Sequence, residues 1–240
     1  MTNPGIFEVD LVFPRNATYT PQALMPIVWA VQRPDMPPAL ASSITWSLLE
    51  SNNYTAPGSS DDGLIEMLSP LPGNETLISR FFNTIEYPDG YWNLTWTLWV
   101  NNCSQEGSSQ YILKTGSTVF TISKSGQEPD LVAATSAGQC DAMDAYAFNV
   151  TSFGENCGYL GPTPTTNPCA VNISSSAASS LYASATTWYC APNTVDNPNV
   201  TCPTSTSTSS ASNPASQSFM VTRTALLMLL VGITNFILMG

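Results

Sequence analysis

The sequence predicts a mainly β protein: an antiparallel β-sandwich followed by a disulfide-rich segment that contains a short helix. Three observations carry this. Short runs of alternating apolar and polar residues recur through residues 1–155. No sustained 3.6-residue pattern interrupts them. All six cysteines fall between Cys103 and Cys202. A small β-barrel is the alternative closed form of the same pattern.

The strands follow in order. Phe7, Val9, Leu11 and Phe13 alternate with Glu8, Asp10 and Val12, the signature of a half-buried strand that Pro14-Arg15-Asn16 ends. Leu24–Gln32 places Met25, Ile27, Trp29 and Val31 on one face, and Pro26 inside it predicts an edge position or a bulge. Ile44, Trp46 and Leu48 mark a third strand, after Pro34, Pro37 and Pro38. Ser51–Gly63 reads as a polar loop. Thr76–Tyr87 and Tyr91–Val100 are expected to pair around a Pro88-Asp89-Gly90 turn. In the second of these, Trp92, Leu94, Trp96, Leu98 and Val100 share one face, and a sequon at Asn93 occupies the other. A glycan must face solvent, so the Trp/Leu face is assigned to the core. Tyr111–Leu113, Ser117–Ser123 and Tyr146–Val150 complete a set at sandwich-like spacing.

Beyond residue 155 the character changes. Four cysteines fall as C-x11-C-x20-C-x11-C at Cys157, Cys169, Cys190 and Cys202, without the C-x2-C spacing of zinc sites. Ala177, Ala178, Leu181, Tyr182 and Ala185 recur at helical spacing, which predicts a short helix stapled by disulfides. Spacing alone does not settle the pairing. The expected arrangement joins Cys103 to Cys140 within the sandwich and leaves the other four to pair among themselves. Four segments result: a β-sandwich over 1–155, a Cys-rich segment over 156–202, a Ser/Thr-rich stalk over 203–218 and a hydrophobic attachment signal over 219–240.

Composition removes whole classes of function. The 240 residues carry 17 acidic and 6 basic side chains, a net charge of -11 and no histidine. So few scattered cations build no phosphate-binding stripe, and nucleic acid is excluded as a partner. Without histidine there is no Ser-His-Asp or Cys-His machinery and no imidazole metal site. Neither a P-loop nor a dinucleotide-binding glycine motif is present. No cofactor, metal or enzymatic activity is expected. Only 10% of residues are charged, against an average near ~25%. The surface must therefore be wetted by Ser, Thr and Asn, with or without glycans.

The C-terminal region is the most informative about compartment. PTSTSTSSASNPASQS (203–218) precedes ALLMLLVGITNFILMG (225–240). Taken as a helix at about 1.5 Å per residue, the apolar run spans about 24 Å, short of the roughly 30 Å hydrocarbon core. Small residues, a polar spacer and an apolar tail form a GPI-attachment signal. Ser210, flanked by Ser209 and Ala211, is the expected attachment site. The alternative is a tail-anchored transmembrane helix. A GPI lipid requires entry to the secretory pathway, yet MTNPGIFEVDLVFPRN (1–16) has no basic n-region and no adequate apolar h-region. A chain whose natural start is missing is expected. Sequons at Asn16, Asn53, Asn74, Asn93, Asn102, Asn149, Asn172 and Asn199, more than composition alone produces, support secretion.

FEVDLVFPRNATYTP, followed by LMPIVWAVQRP, resembles the start of a fungal family of secreted proteins known only as a domain of unknown function. The stretch from Tyr159-Leu160-Gly161 through TPTTNPCAV, an Ala/Ser-rich segment and two further cysteines is similar to the same family. The resemblance spans about residues 6–202. It implies a fungal cell-surface glycoprotein, often GPI-anchored, and carries no catalytic residues over.

Two constellations stand out as candidate sites. Carboxylate pairs, as glycosidases use, occur at Glu8/Asp10, Asp61/Asp62, Glu86/Asp89 and Asp141/Asp144. Glu8 and Asp10 would share a strand face about 7 Å apart, and a solvated strand face is the expected reading. Asp141/Asp144 could hold calcium but lacks EF-hand spacing. Among the tryptophans, Trp92 and Trp96 are assigned to the core. Trp99 shares the glycan-bearing face with Tyr91, and the two are the candidate ligand platform. The expected function is a non-enzymatic, glycosylated cell-surface or cell-wall protein, held to the membrane through a GPI lipid. The alternative is a carbohydrate- or ligand-binding module with cell-wall polysaccharide as partner. A carboxylate-based carbohydrate-active enzyme ranks last.

Overall fold

The computed structural model describes residues 3–68, 76–103, 108–192, 194 and 197–203. It contains ten strands: β1 (Gly5–Phe13), β2 (Thr18–Tyr19), β3 (Met25–Gln32), β4 (Ser43–Glu50), β5 (Ser60–Glu66), β6 (Leu77–Phe82), β7 (Gly90–Cys103), β8 (Ser109–Ile122), β9 (Asp144–Phe153) and β10 (Gly158–Leu160). Helix α1 spans Leu131–Ala134 and helix α2 Ser175–Tyr189. Residues through Pro203 form one compact unit. Asn74, Ser210 and the runs assigned to stalk and attachment signal, beyond Pro203, lie outside the described residues.

The described strands form one ten-stranded mixed sheet in which β2 pairs parallel to β8, and two antiparallel groups within it make the layers of the sandwich. One runs β5-β4-β7-β8 and the other β9-β1-β3-β6. β10 joins them. It pairs antiparallel to β9 and parallel to β7 at Gly158↔Asn102. β7 is long enough to offer one edge to both β4, along Trp92–Trp99, and β10 beyond it. Aromatic rings bridge the two layers: Trp46 of β4 meets Phe82 of β6 edge-on, and Trp96 of β7 meets Tyr146 of β9. Trp92, Leu94, Trp96, Leu98 and Val100 are buried, as the strand's alternation predicts.

Several local expectations change. The strand over 77–82 does not pair with β7. It pairs with β3, because β7 already has β4, β10 and β8 on its edges, and the Pro88–Gly90 turn carries the chain from one layer to the other. Pro26 lies in an interior strand, but β3 pairs with β1 only from Val28 onward, so its missing N–H deprives no β1 partner. A bulge does occur, in β1 between Leu11 and Phe13. The polar loop ends early, since Ser60–Gly63 belong to β5. There Gly63 faces Trp46, whose ring fills the place a side chain would take. The two short runs at 111–113 and 117–123 are one strand, β8.

Residues 156–202 do not stand apart. They cover the outer face of β9-β1-β3, so β1 is buried on both faces from Phe7 to Phe13. Ser174 caps α2 by accepting from Ala177 N, and Ala177, Ala178, Leu181, Tyr182 and Ala185 turn toward the core. Arg80 and Tyr189 donate to the carbonyls of Ser79 and Phe81 in the edge strand β6. Capping those carbonyls blunts pairing with another chain.

Candidate functional site

The outer face of β4-β7-β8 is built in rows, because opposed residues in a sheet point the same way. One row reads Thr45, Thr97, Thr115 and the next Ser47, Thr95, Ser117. The backbones that carry these hydroxyls are spaced about 4.8 Å across the strands and about 6.8 Å along them. The row above holds Ser43, Trp99 and Leu113. Trp99 is half-buried and fixed in orientation. Its Nε1 donates to Thr45 Oγ1 at 3.0 Å, and its ring meets Tyr111 edge-on at 6.1 Å between centroids. Tyr111 and Leu113 remain 46% and 47% exposed. No side chain that β4, β7 or β8 turns to this face is charged.

The face does not bring together the two platform residues expected from sequence. Tyr91 and Trp99 sit toward opposite ends of β7, about 26 Å apart at about 3.3 Å per residue. Tyr111, across the ladder, is the aromatic partner Trp99 has. Trp29, Trp46, Trp92 and Trp96 are core residues, whereas Trp188 is exposed on α2.

Glu8 and Asp10 are the larger surprise. They are not solvated: their exposures are 2% and 0%. Asn167 N donates to both Glu8 oxygens, at 2.7 and 3.0 Å, and Gln32 Nε2 bridges Asp10 Oδ2 to Asn167 O, both at 3.0 Å. Burial first, then contact with Glu8, outweigh the lowering effect of Gln32 and together raise the Asp10 carboxyl to about 8. Asp10 Oδ1 has no acceptor-type bond. A proton held on Asp10 lets it donate to the neighbouring Glu8. The pair therefore clamps the 161–173 segment to β1. With no solvent access it has no room for a sugar.

The other acids are accounted for. Asp61, Asp62, Glu86 and Asp89 are exposed. Asp144 accepts from Trp96 Nε1 at 2.9 Å, while Asp141 lies beside Cys169. Cys140, Asp141 and Cys169 have metal-ligand proximity, but both sulfurs are bound in a disulfide and offer no thiolate.

The disulfides correct the expected pairing. Cys103 bonds Cys157, Cys140 bonds Cys169, and Cys190 bonds Cys202. The β10–β7 pairing delivers Cys157 to the end of β7, where Cys103 sits. Cys140 lies instead in a tight turn against the turn that contains Cys169. Two of the three bridges thus tie 156–202 to the sandwich. None of the six cysteines is free.

The sequons divide by setting. Asn16, Asn53, Asn172 and Asn199 are exposed and outside the strands. At Asn53 the sequon's own Thr55 donates from N and Oγ1 to Asn53 Oδ1, at 3.0 and 2.8 Å, which turns the amide nitrogen outward. Asn93, Asn102 and Asn149 lie half-buried in strands. Asn93 Nδ2 reaches Asn52 Oδ1, and Asn102 Oδ1 accepts from Leu160 N. Asn102 and Asn149 open into the same pocket, of about 270 Å³.

Residues 2–202 match a domain of unknown function, DUF7136. The chain belongs to the DUF7136 family. No curated protein and no solved structure matches it. The DUF7136 region takes in the acid pair, the three disulfides and the whole outer face of β4-β7-β8. Sequence reasoning missed Gln32 and Asn167 as partners of the acid pair. The signal emerges only once β1 is paired with β3 and β9. Positions that share that face of the sheet include Val12, Val28, Ala30, Ala145 and Ala147, and a wetted face would not be so apolar.

Proposed function

We propose that this DUF7136 protein is a secreted, non-enzymatic glycoprotein displayed at the cell surface, with the Ser/Thr-rich run 203–218 as a stalk and the apolar run 225–240 as the signal for a GPI lipid at Ser210. The observation that carries the reading is the cysteine chemistry. All six cysteines are paired, in bridges that span 54, 29 and 12 residues of the chain. Such bridges persist in oxidising, extracellular compartments. The exposed sequons, with the Asn53 amide turned outward, support glycosylation. Among the described residues no helix is long and apolar enough to cross a membrane. The burial of Glu8 and Asp10 removes the best carboxylate pair from solvent and supports the non-enzymatic reading.

The test is surface release. The chain is fused to a secretion leader, expressed in a yeast and treated with phosphatidylinositol-specific phospholipase C, beside a known GPI-anchored control. Release into the soluble phase, with residues 225–240 absent by mass, is the expected result. A cell-bound form that retains 225–240 while the control is released would overturn the lipid anchor.

A further inference from the structure

We propose that the outer face of β4-β7-β8 is a binding site for a neutral polysaccharide, with Trp99 and Tyr111 as the stacking end and the Thr45/Thr97/Thr115 row as the hydrogen-bonding floor. The inference goes beyond surface display and does not depend on the lipid anchor.

Charge is the first argument. In a chain of net charge -11 this face carries no ionised group on any of its three strands. Glu66 of β5, opposite Ser43, puts a carboxylate at its rim; the three central strands offer an ion no partner, and they suit an uncharged ligand. The rows themselves are the second argument. Two full rows of Ser and Thr cross the middle of the face. A protein partner, or a second copy of this chain, would have to dry these hydroxyls, and each one left unpaired would be penalised. A polysaccharide brings hydroxyls of its own at close intervals, so it can pair the rows. Thr97 and Thr115 already stand 2.8 Å apart, oxygen to oxygen, and so present one shared donor–acceptor pair.

Preorganisation is the third argument. Sugar rings have apolar C–H faces that stack on aromatic rings. Trp99 is held in place by Thr45 below and Tyr111 beside it, so little rotamer freedom remains to be lost on binding. Tyr111, Leu113 and, across β4, Leu64 stay exposed around it, Leu64 at 52%. Large apolar side chains exposed together on a sheet mark interaction surfaces.

The experiment is co-sedimentation of the full secreted chain, natively deglycosylated, with insoluble cellulose, chitin and β-1,3-glucan, and retention on heparin as a polyanionic control. Retention by at least one neutral polymer, unchanged between low and high salt, is expected. Trp99→Ala should weaken it about tenfold. Thr97→Arg, which adds a long charged side chain to the floor without touching the core, should abolish it. Near-ultraviolet circular dichroism and the three disulfides report that each variant is folded. Three results would overturn the proposal: no neutral polymer retained, retention equal in wild type and both folded variants, or a wild-type dimer that Thr97→Arg converts to monomer. Failure here with successful lipase release would leave the surface-display reading intact, and the reverse outcome would isolate the anchor as the error.

Discussion

Trp96 and Asp144 meet across the core, and the space for their contact is the side chain that Gly116 lacks. The indole Nε1 donates to Asp144 Oδ2 at 2.9 Å. Gly116 is the register partner of Trp96 on β8, and a Cβ there would collide with the same carboxylate. Gly116→Ala is expected to turn Asp144 away and strand a buried N–H, at about 1–3 kcal/mol. Urea midpoints measure this. In a Trp96→Phe background the loss should shrink. An equal loss in both backgrounds would place the cause in the backbone.

The Asp10–Glu8 pair predicts how stability follows pH. Folding raises the Asp10 carboxyl from 3.8 to about 8, chiefly by burial. Between those values the folded state holds a proton that the unfolded state has released. Stability is therefore full below the lower value and lost as pH rises through the upper one, by on the order of several kcal/mol. Glu8, Gln32 and Asn167 face the group throughout. The unfolding temperature should fall from about pH 5 to about pH 9. Asp10→Asn, neutral at both ends, should flatten that slope, and a slope that survives the substitution would exclude Asp10 as its source.

The disulfides should rank by the loop each closes. Cys103–Cys157 closes 54 residues and Cys190–Cys202 only 12. Chain entropy alone gives about 4 kcal/mol for the first and about 3 kcal/mol for the second. Paired Cys→Ser variants, compared by denaturant midpoint, should keep that order. Non-reducing peptide mapping should recover Cys140 joined to Cys169 and no Cys103–Cys140 product.

Glycan occupancy should follow backbone setting. Asn16, Asn53, Asn172 and Asn199 are expected to be modified, whereas Asn93, Asn102 and Asn149 are not. Peptide-N-glycosidase digestion in heavy-oxygen water, which converts each glycosylated Asn to a labelled Asp, separates the two groups by peptide mass. Asn53→Gln should remove one glycan without moving the unfolding temperature by more than about 2 °C, since its side chain bonds only within its own turn. Full occupancy at Asn93 would show that the Asn52 contact yields to a sugar.

Much of the fold could be read from the chain. Trp92 through Val100 alternate strictly, so their burial followed from period alone. Ala177 through Ala185 marked α2 in the same way. What could not be read depended on partners distant in sequence. Leu77–Phe82 looks like the first arm of a hairpin, because nothing local says that β7 is already paired on its edges. Cys103 could not announce Cys157, because a three-residue strand, β10, brings them together. The same holds for the acid pair. Local alternation makes Glu8 and Asp10 appear wetted, while the segment that buries them begins some 150 residues later, with Asn167 reaching Glu8. The hydroxyl rows of the outer face exist only once three strands are in register.

The last bridge has a mechanical consequence. The described chain leaves the domain at Pro203, directly after Cys202, which is bonded to Cys190 at the end of α2. Tension applied from residue 204 onward enters through that sulfur pair and passes to the helix without loading residues 191–201. It then runs back along α2 toward Cys169, whose bridge to Cys140 anchors the segment to the sandwich. A pull on the tail is thus met by covalent bonds at Cys190, the C-cap of α2, and at Cys169, in the turn that precedes the helix. The load must peel a helix from the sheet before it can reach the strands.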